Sequence, residues 1–170
     1  MNILKDIPPG TAEEMNVIIE IPKGRQNKYE YDKKNKIFSL DRVLYSPFHY
    51  PAEYGFVPGT LCGDGDPLDG FVIMNEPTYP GILIKARPVA VVEMIDNGEQ
   101  DNKLGCVAVD DPYHKHIKDV KDLSDHFLKS IKHFLDHYKD LQGKKVEVKG
   151  IKGVKEAKEE FARAVKRYKR

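Results

Sequence analysis

Between Asp64 and Asp69 the chain sets three carboxylates, Asp64, Asp66 and Asp69, into one short Asp-Gly-Asp-Pro-Leu-Asp turn. Acids crowded in this way repel one another and hold their protons more tightly unless cations stand among them. An oxygen-only site for a hard cation is the economical reading. An acidic, solvated surface turn is the plain alternative, since Asp, Gly and Pro are ordinary turn residues. Pro67 fixes φ, while Gly65 and Gly70 permit backbone angles other residues resist, so the turn can aim its acids at one point. An EF-hand calcium loop is excluded by spacing. It needs an oxygen side chain at its fifth position and an acid at its twelfth, where this chain has Leu68 and Asn75.

Polar residues embedded in strand-like stretches extend the set: Glu20, Lys28, Glu30, Arg42, Tyr50, Tyr54, Asp96, Asp101 and Lys103. Carboxylates alone describe a cation pocket, whereas Lys and Arg interleaved with them describe a site for an anion that the cations also touch. Phosphate suits that mixture. Arg offers a planar bidentate fork and Lys a point charge, and bare acids repel phosphate unless divalent cations intervene. Magnesium is favoured over calcium or zinc, because few-carboxylate sites completed by water and substrate phosphates are its usual setting and no His or Cys cluster argues for a softer ion. Two such ions about 4 Å apart could share a water, lower its pKa from about 15.7 toward neutrality and aim it at phosphorus, a nearby carboxylate removing the proton. For these scattered residues the alternative is ordinary salt bridging across a sheet.

The elements that must position this chemistry are strands first and helices last. Residues 15–21 are β-branched and apolar and read as a buried strand with Glu20 embedded in it. Further strand patterns fall at Lys28–Tyr31, Ile37–Leu44, Gly70–Met74, Ile82–Asp96 and Leu104–Val109, divided by Gly, Pro, Asn and Asp. Asp96-Asn97-Gly98 is a hairpin signal that would bring Asp96 and Asp101 to one end of the sheet. From Leu123 the residues Phe127, Ile131, Phe134, Leu135, Tyr138 and Leu141 repeat at helical spacing, predicting a helix that ends near Gly143. A short strand at Lys145–Lys149 and a terminal helix carrying Val154, Ala157, Phe161, Ala164, Val165 and Tyr168 complete the pattern. The expected class is α+β, a small closed barrel with helices laid against it.

Composition narrows the function classes. The chain has 170 residues, enough for one packed domain and short for two. With 28 Lys+Arg against 27 Asp+Glu the formal net charge is +1, so nothing global steers it toward nucleic acid or an anionic membrane. The apolar runs, such as Val89–Val92, are too short to span a bilayer, and Met1–Gly10 lacks the apolar core of a signal peptide, so a cytoplasmic protein is expected. Cys62 and Cys106 show neither disulfide nor zinc spacing.

Several stretches, taken in order, resemble the family I soluble inorganic pyrophosphatases of prokaryotic type: Ile19-Glu20-Ile21-Pro22, Lys28-Tyr29-Glu30, Leu40-Asp41-Arg42, Tyr50-Pro51, Glu53-Tyr54-Gly55-Phe56, the turn at Asp64–Asp69, Asp101-Asn102-Lys103 and His133 to Lys139. The resemblance implies a single domain over 1–170 with a five-stranded, OB-like β-barrel and flanking C-terminal α-helices. It implies Mg²⁺-dependent hydrolysis of pyrophosphate to two orthophosphates, with several ions per site. Asp64, Asp69 and Asp101 would hold the first ion, and Asp69 would also touch the second. Asp96, Asp101 and Glu20 would meet ions that arrive with substrate. Asp66 would be the general base for a water shared between ions. Lys28, Arg42, Tyr54, Lys103, Tyr138 and Lys139 would bind the two phosphates, with Glu30 and Tyr50 supporting the pocket. Homohexamers are implied too, with His133 and His137 at a subunit interface. The chain departs from relatives in having Ile151 where many carry Trp, and in Glu53, an extra carboxylate expected at the pocket edge. Two other functions compete. One is a binding module for single-stranded nucleic acid, which the acidic character of these residues disfavours. The other is a hydrolase of polyphosphate or nucleotides.

Overall fold

The structure, a computed structural model, describes residues 2–169; Met1 and Arg170, the ends of the expected domain, lie outside the described residues. The strands are β1 (Met15–Ile21), β2 (Asn27–Asp32), β3 (Ile37–Val43), β4 (Glu53–Val57), β5 (Leu68–Ile73), β6 (Leu83–Asp96), β7 (Glu99–Gln100), β8 (Lys103–Ala108) and β9 (Val146–Lys152). The helices are α1 (Asp125–His137) and α2 (Val154–Tyr168).

Five strands close on themselves. β1 pairs with β4, β4 with β5, β5 with β8, β8 with β6 and β6 again with β1, all antiparallel except β5 with β8. Closure leaves these strands without open edges. β6 spans 14 residues and also carries β7 and β9. It serves so many partners by bending: its register shifts at Pro88/Ala90 against β8 and at Glu93/Met94 against β9. Pro88 has no N–H to give a ladder, so a bulge is where a strand tolerates it. β2 and β3 form a separate two-stranded hairpin.

Sequence patterning does not reveal β4, whose five residues are bounded by Pro51 and Pro58 and interrupted by Gly55. The glycine is required by a close crossing. A Cβ on Gly55 would lie 1.9 Å from the Ile18 carbonyl oxygen, beside the register shift between β1 and β4.

The first helix is shorter than its apolar repeat. α1 is capped by Ser124, whose hydroxyl accepts from the Phe127 N–H at 3.2 Å, satisfying an orphan donor. It ends at His137; Asp140–Gln142 is one tighter turn, closed by Gly143 at φ 66°. Ile131, Phe134, Leu135 and Tyr138 pack with Tyr50, Tyr54, Phe71, Met94 and Val148. On α2, Ala157, Phe161 and Ala164 pack with Val17, Ile19, Val57, Leu68, Val91 and Leu104. Both helices are thus held to the ring by apolar burial, worth about 25 cal/mol per Å² removed from water.

Candidate active site

A cleft of about 310 Å³ is lined by Glu20, Lys28, Glu30, Tyr54, Asp64, Asp66, Asp69, Asp96, Asp101, Lys103, Tyr138 and Lys139. Residues from β1, β2, β4, the turn into β5, the end of β6, the β7–β8 connection and the end of α1 therefore converge on one place. The hairpin expectation holds: Asn97 at φ 49° and Gly98 at φ 87° join Asp96 of β6 to Glu99 of β7, the left-handed pair that a tight two-residue hairpin demands. It delivers Asp96 and Asp101 to the same cleft.

The acid turn is built by its own backbone. The Asp66 N–H donates to Asp64 Oδ1 at 3.0 Å, the Cys62 N–H to the Asp66 carbonyl at 2.7 Å, and Gly65 takes φ 89°. Beneath it, the Thr60 hydroxyl accepts from the Leu68 N–H at 2.9 Å and donates to the Val57 carbonyl at 2.5 Å. These bonds hold Asp64 and Asp66 in solvent-facing positions while β5 carries Asp69.

Lysines stand among the acids. Lys103, almost wholly buried, donates to Asp69 Oδ2 at 2.9 Å and to Asp101 Oδ1 at 2.6 Å. The Tyr54 hydroxyl donates to the same Asp69 oxygen at 2.7 Å. Lys139 pairs with Asp96, and Lys28 with Glu30 and, at 3.4 Å, with Asp41. Among the described residues no three acid, His or Cys side chains form a ready-made cation cage; the ammonium groups take up the space between them.

The electrostatics follow from burial. Glu20 accepts the Tyr31 N–H at 2.8 Å, yet burial first and Asp69 second push its carboxyl up to about 8. Asp101 is raised by burial, against the pull of Lys103, and by Asp69 and Asp64. Burial alone would lower Lys103, but Asp69 and Asp101 more than reverse it, so it stays charged. Burial also raises the phenols of Tyr50, Tyr54 and Tyr138, which therefore remain hydrogen-bond donors. The donor set is all oxygen, and Asp69 beside Glu20, with Asp69 and Asp64 beside Asp101, adds to the burial that raises those two carboxyls, a crowding a hard cation relieves. The residues fit magnesium on that ground.

Two expected residues do not line the cleft. Tyr50 is buried behind it, with its ring 5.4 Å from Tyr54 and 4.9 Å from Phe134. Arg42 lies across the β2–β3 pair from Lys28 and pairs with Asp41; its Nε is buried without a partner among the described residues. The expectation for Glu53 is corrected. It is fully buried away from the cleft, accepting from the Lys23 N–H at 2.8 Å, the Thr78 N–H at 3.2 Å and the Thr78 hydroxyl at 2.5 Å. There it fastens two loops to β4. His133 and His137 are exposed on α1 with rings 4.7 Å apart, and His137 Nδ1 is 2.8 Å from Asp140.

Sequence reasoning missed Lys33, which lines the cleft from the β2–β3 turn and pairs with Asp66 at 2.7 Å. Nothing in the polar run from Asp32 to Lys36 distinguishes it from its neighbours. Asp41, held below the usual carboxylate range by Lys28 and Arg42 in spite of partial burial, was legible only as part of a matched stretch.

Residues 17–169 match the inorganic pyrophosphatase family. An inorganic pyrophosphatase of Synechocystis is 50% identical over 155 residues, 91% of this chain and 92% of that protein. One of Picrophilus torridus is 42% identical over 172 residues, covering 100% of this chain and 97% of the relative. Among solved structures, the inorganic pyrophosphatase of Thermus thermophilus superposes with a TM-score of 0.97 at 39% identity, over 100% of both chains. That of Helicobacter pylori gives 0.93 at 42% identity, over 97% of this chain and 99% of the other. With its acids, lysines and buried phenols gathered in one cleft, and with these matches spanning nearly its whole length, the chain belongs to the inorganic pyrophosphatase family of enzymes.

Proposed function

We propose that the chain hydrolyses inorganic pyrophosphate to two orthophosphates with Mg²⁺. The observation that carries the reading is the interleaving of carboxylates with Lys28, Lys103 and Lys139 in one cleft. Asp64, Asp69 and Asp101 would hold the first ion, Asp69 would share a second, and Asp96, Asp101 and Glu20 would receive ions accompanying the substrate. When bound, such ions supply Lewis acidity: they neutralise phosphate charge and make water acidic enough to lose a proton near neutral pH.

This chain's own residues do the rest. Lys28, Lys103 and Lys139, which line the cleft, offer cationic N–H donors to the two phosphates, Arg42 would join them by leaving Asp41 across the β2–β3 pair, and Tyr54 and Tyr138 offer neutral O–H donors. Lys103 already has two acids to exchange for a phosphate, Asp69 and Asp101. Asp66 takes the proton of the attacking water, its exposed side chain leaving it free to do so once Lys33 turns away. Water adds to one phosphorus, the bridging oxygen leaves with the other phosphate, and the two products carry the protons of the consumed water between them. Tyr50 and Glu30 support the pocket from behind and beside it.

The same reading treats the five-strand ring as an OB-like barrel and the chain as one domain over 1–170. Among the described residues no helix is long and apolar enough to cross a membrane, and a cytoplasmic homohexamer, assembled partly through His133 and His137, completes the proposal. A solution mass tests the assembly. The catalytic assignment is tested by Asp66→Asn: turnover falls by about 10²–10⁴-fold, the usual worth of a general base, while calorimetric Mg²⁺ binding stays close to wild type. Lost binding with normal turnover per bound ion would move the base elsewhere.

A further inference from the structure

Asn102 stands between two cleft residues, Asp101 and Lys103, yet its side chain does not line the cleft. It is buried, and its amide works on the opposite side. Asn102 Oδ1 accepts the Met94 N–H at 3.2 Å, and Asn102 Nδ2 donates to Glu160 Oε2 on α2 at 2.9 Å. The Asp101 N–H donates to the Met94 carbonyl at 3.0 Å. β7 ends at Gln100 and β8 begins at Lys103, yet the register of β6 is the same on both sides, with Ile95 opposite Gln100 and Val92 opposite Lys103. The Asp101 bond to Met94 keeps that register, and the Met94 N–H goes to the Asn102 side chain. The place of Asp101 is set by one in-register backbone bond and by the Asn102 side chain beside it.

Glu160 is a buried carboxylate that the proposed reaction does not use, only 6% exposed. The same oxygen that accepts from Asn102 also accepts from Arg163 at 2.7 Å, whose side chain is about half exposed. One helical turn further on, the Ala164 carbonyl accepts the Leu61 N–H at 3.0 Å, just ahead of the turn at Asp64–Asp69. One helix therefore grips both acid-bearing segments, one through a side chain and one through its backbone.

We infer that Glu160 is a positioning residue, which through Asn102 sets Asp101 and Lys103 at the distance from Asp69 that cation binding needs. The inference rests on the proposed reading of the cleft as a Mg²⁺ and pyrophosphate site. Without an acceptor at 160, the buried Asn102 amide is left with an unpaired donor, a costly state. It turns to find another partner, gives up the Met94 N–H and loosens the Met94–Asp101 pairing. Groups that orient metal ligands from behind are worth about 10–100-fold in affinity; Glu160 acts one step further back, so the lower end applies.

The test measures Mg²⁺ affinity of the resting enzyme by calorimetry beside the Mg²⁺ dependence of pyrophosphate hydrolysis. Glu160→Ala weakens Mg²⁺ binding by about tenfold and raises the Mg²⁺ needed for half-maximal rate in step, while kcat at saturating Mg²⁺ changes little. Glu160→Asp, a methylene short of Asn102, repeats this with the charge kept and the fold less disturbed. Glu160→Gln retains the acceptor and binds Mg²⁺ as wild type does. Ala157→Gly loosens α2 without touching the link and leaves Mg²⁺ affinity unchanged. Wild-type affinity in both Glu160→Ala and Glu160→Asp, no recovery in Glu160→Gln, or an equal loss in Ala157→Gly would overturn the inference. Absence of Mg²⁺-dependent hydrolysis in the wild-type protein would instead sink the reading of the cleft.

Discussion

Lys103→Met removes the charge that holds the centre of the cleft while keeping much of the stem's volume. In the structure its ammonium group, with a side chain 5% exposed, lies 2.6 Å from Asp101 and 2.9 Å from Asp69. Taking one partner out of a buried ion pair costs about 3–5 kcal/mol, because the remaining charge is left uncompensated. Asp69 and Asp101 retain 26% and 18% exposure, so solvent relieves part of that and the lower end, about 3 kcal/mol, applies. For a chain of this length such a loss lowers Tm by roughly 6–12 °C. The assay is thermal unfolding in chelator and again in excess Mg²⁺. A divalent cation held by Asp69 and Asp101 replaces the missing ammonium charge, so the deficit shrinks in Mg²⁺, and the variant gains more Tm from the ion than wild type does. A deficit under about 1 kcal/mol in chelator, within the range of an exposed pair, would refute the buried-pair account. An equal deficit with and without Mg²⁺ would refute the assignment of those two acids to the cation.

Two further outcomes follow from the same geometry. Glu20 has its carboxyl raised by burial and Asp69 from 4.5 to about 8, so between those values the folded protein binds the proton that the unfolded chain has released. Its contribution to stability is present below about 4.5 and is lost as pH rises through about 8, with a slope of at most about 1.4 kcal/mol per pH unit. In chelator, Glu20→Gln flattens the pH dependence of urea unfolding across that window; an unchanged slope would remove Glu20 as its source. Gly55→Ala, which sets a methyl against the Ile18 carbonyl, destabilises by about 3 kcal/mol or more through overpacking, and a loss under about 1 kcal/mol by urea unfolding would mean that β1 and β4 do not cross as closely as described.

What could be read in advance was local. The turn at Asp64–Asp69 and the Asn97-Gly98 hairpin each carry their signal within a few residues and put their side chains where the cleft needs them. The apolar repeat from Leu123 foretells the helix that brings Tyr138 and Lys139, but it runs on toward Gly143 where the helix stops at His137. β4 gave no such signal, because its glycine answers to a strand more than thirty residues away rather than to a pattern of its own. Glu53 reads as one more acid beside the motif, and only the fold reveals that backbone N–H groups of two distant loops consume it. Lys33 is one polar residue of a polar hairpin turn until that turn comes up against Asp66. The Asn102–Glu160 bond joins residues 58 apart in the chain; periodicity places Glu160 on a helix but says nothing of what its carboxylate meets.

The measurement closest to the central claim is orthophosphate release from pyrophosphate by the purified wild-type protein, followed with Mg²⁺ in excess and again after chelation. The account predicts two orthophosphates per pyrophosphate consumed, a rate abolished by chelator and restored by added Mg²⁺, and much slower release from tripolyphosphate or ATP under the same conditions. No release with Mg²⁺ present, or a rate indifferent to chelation, would contradict it.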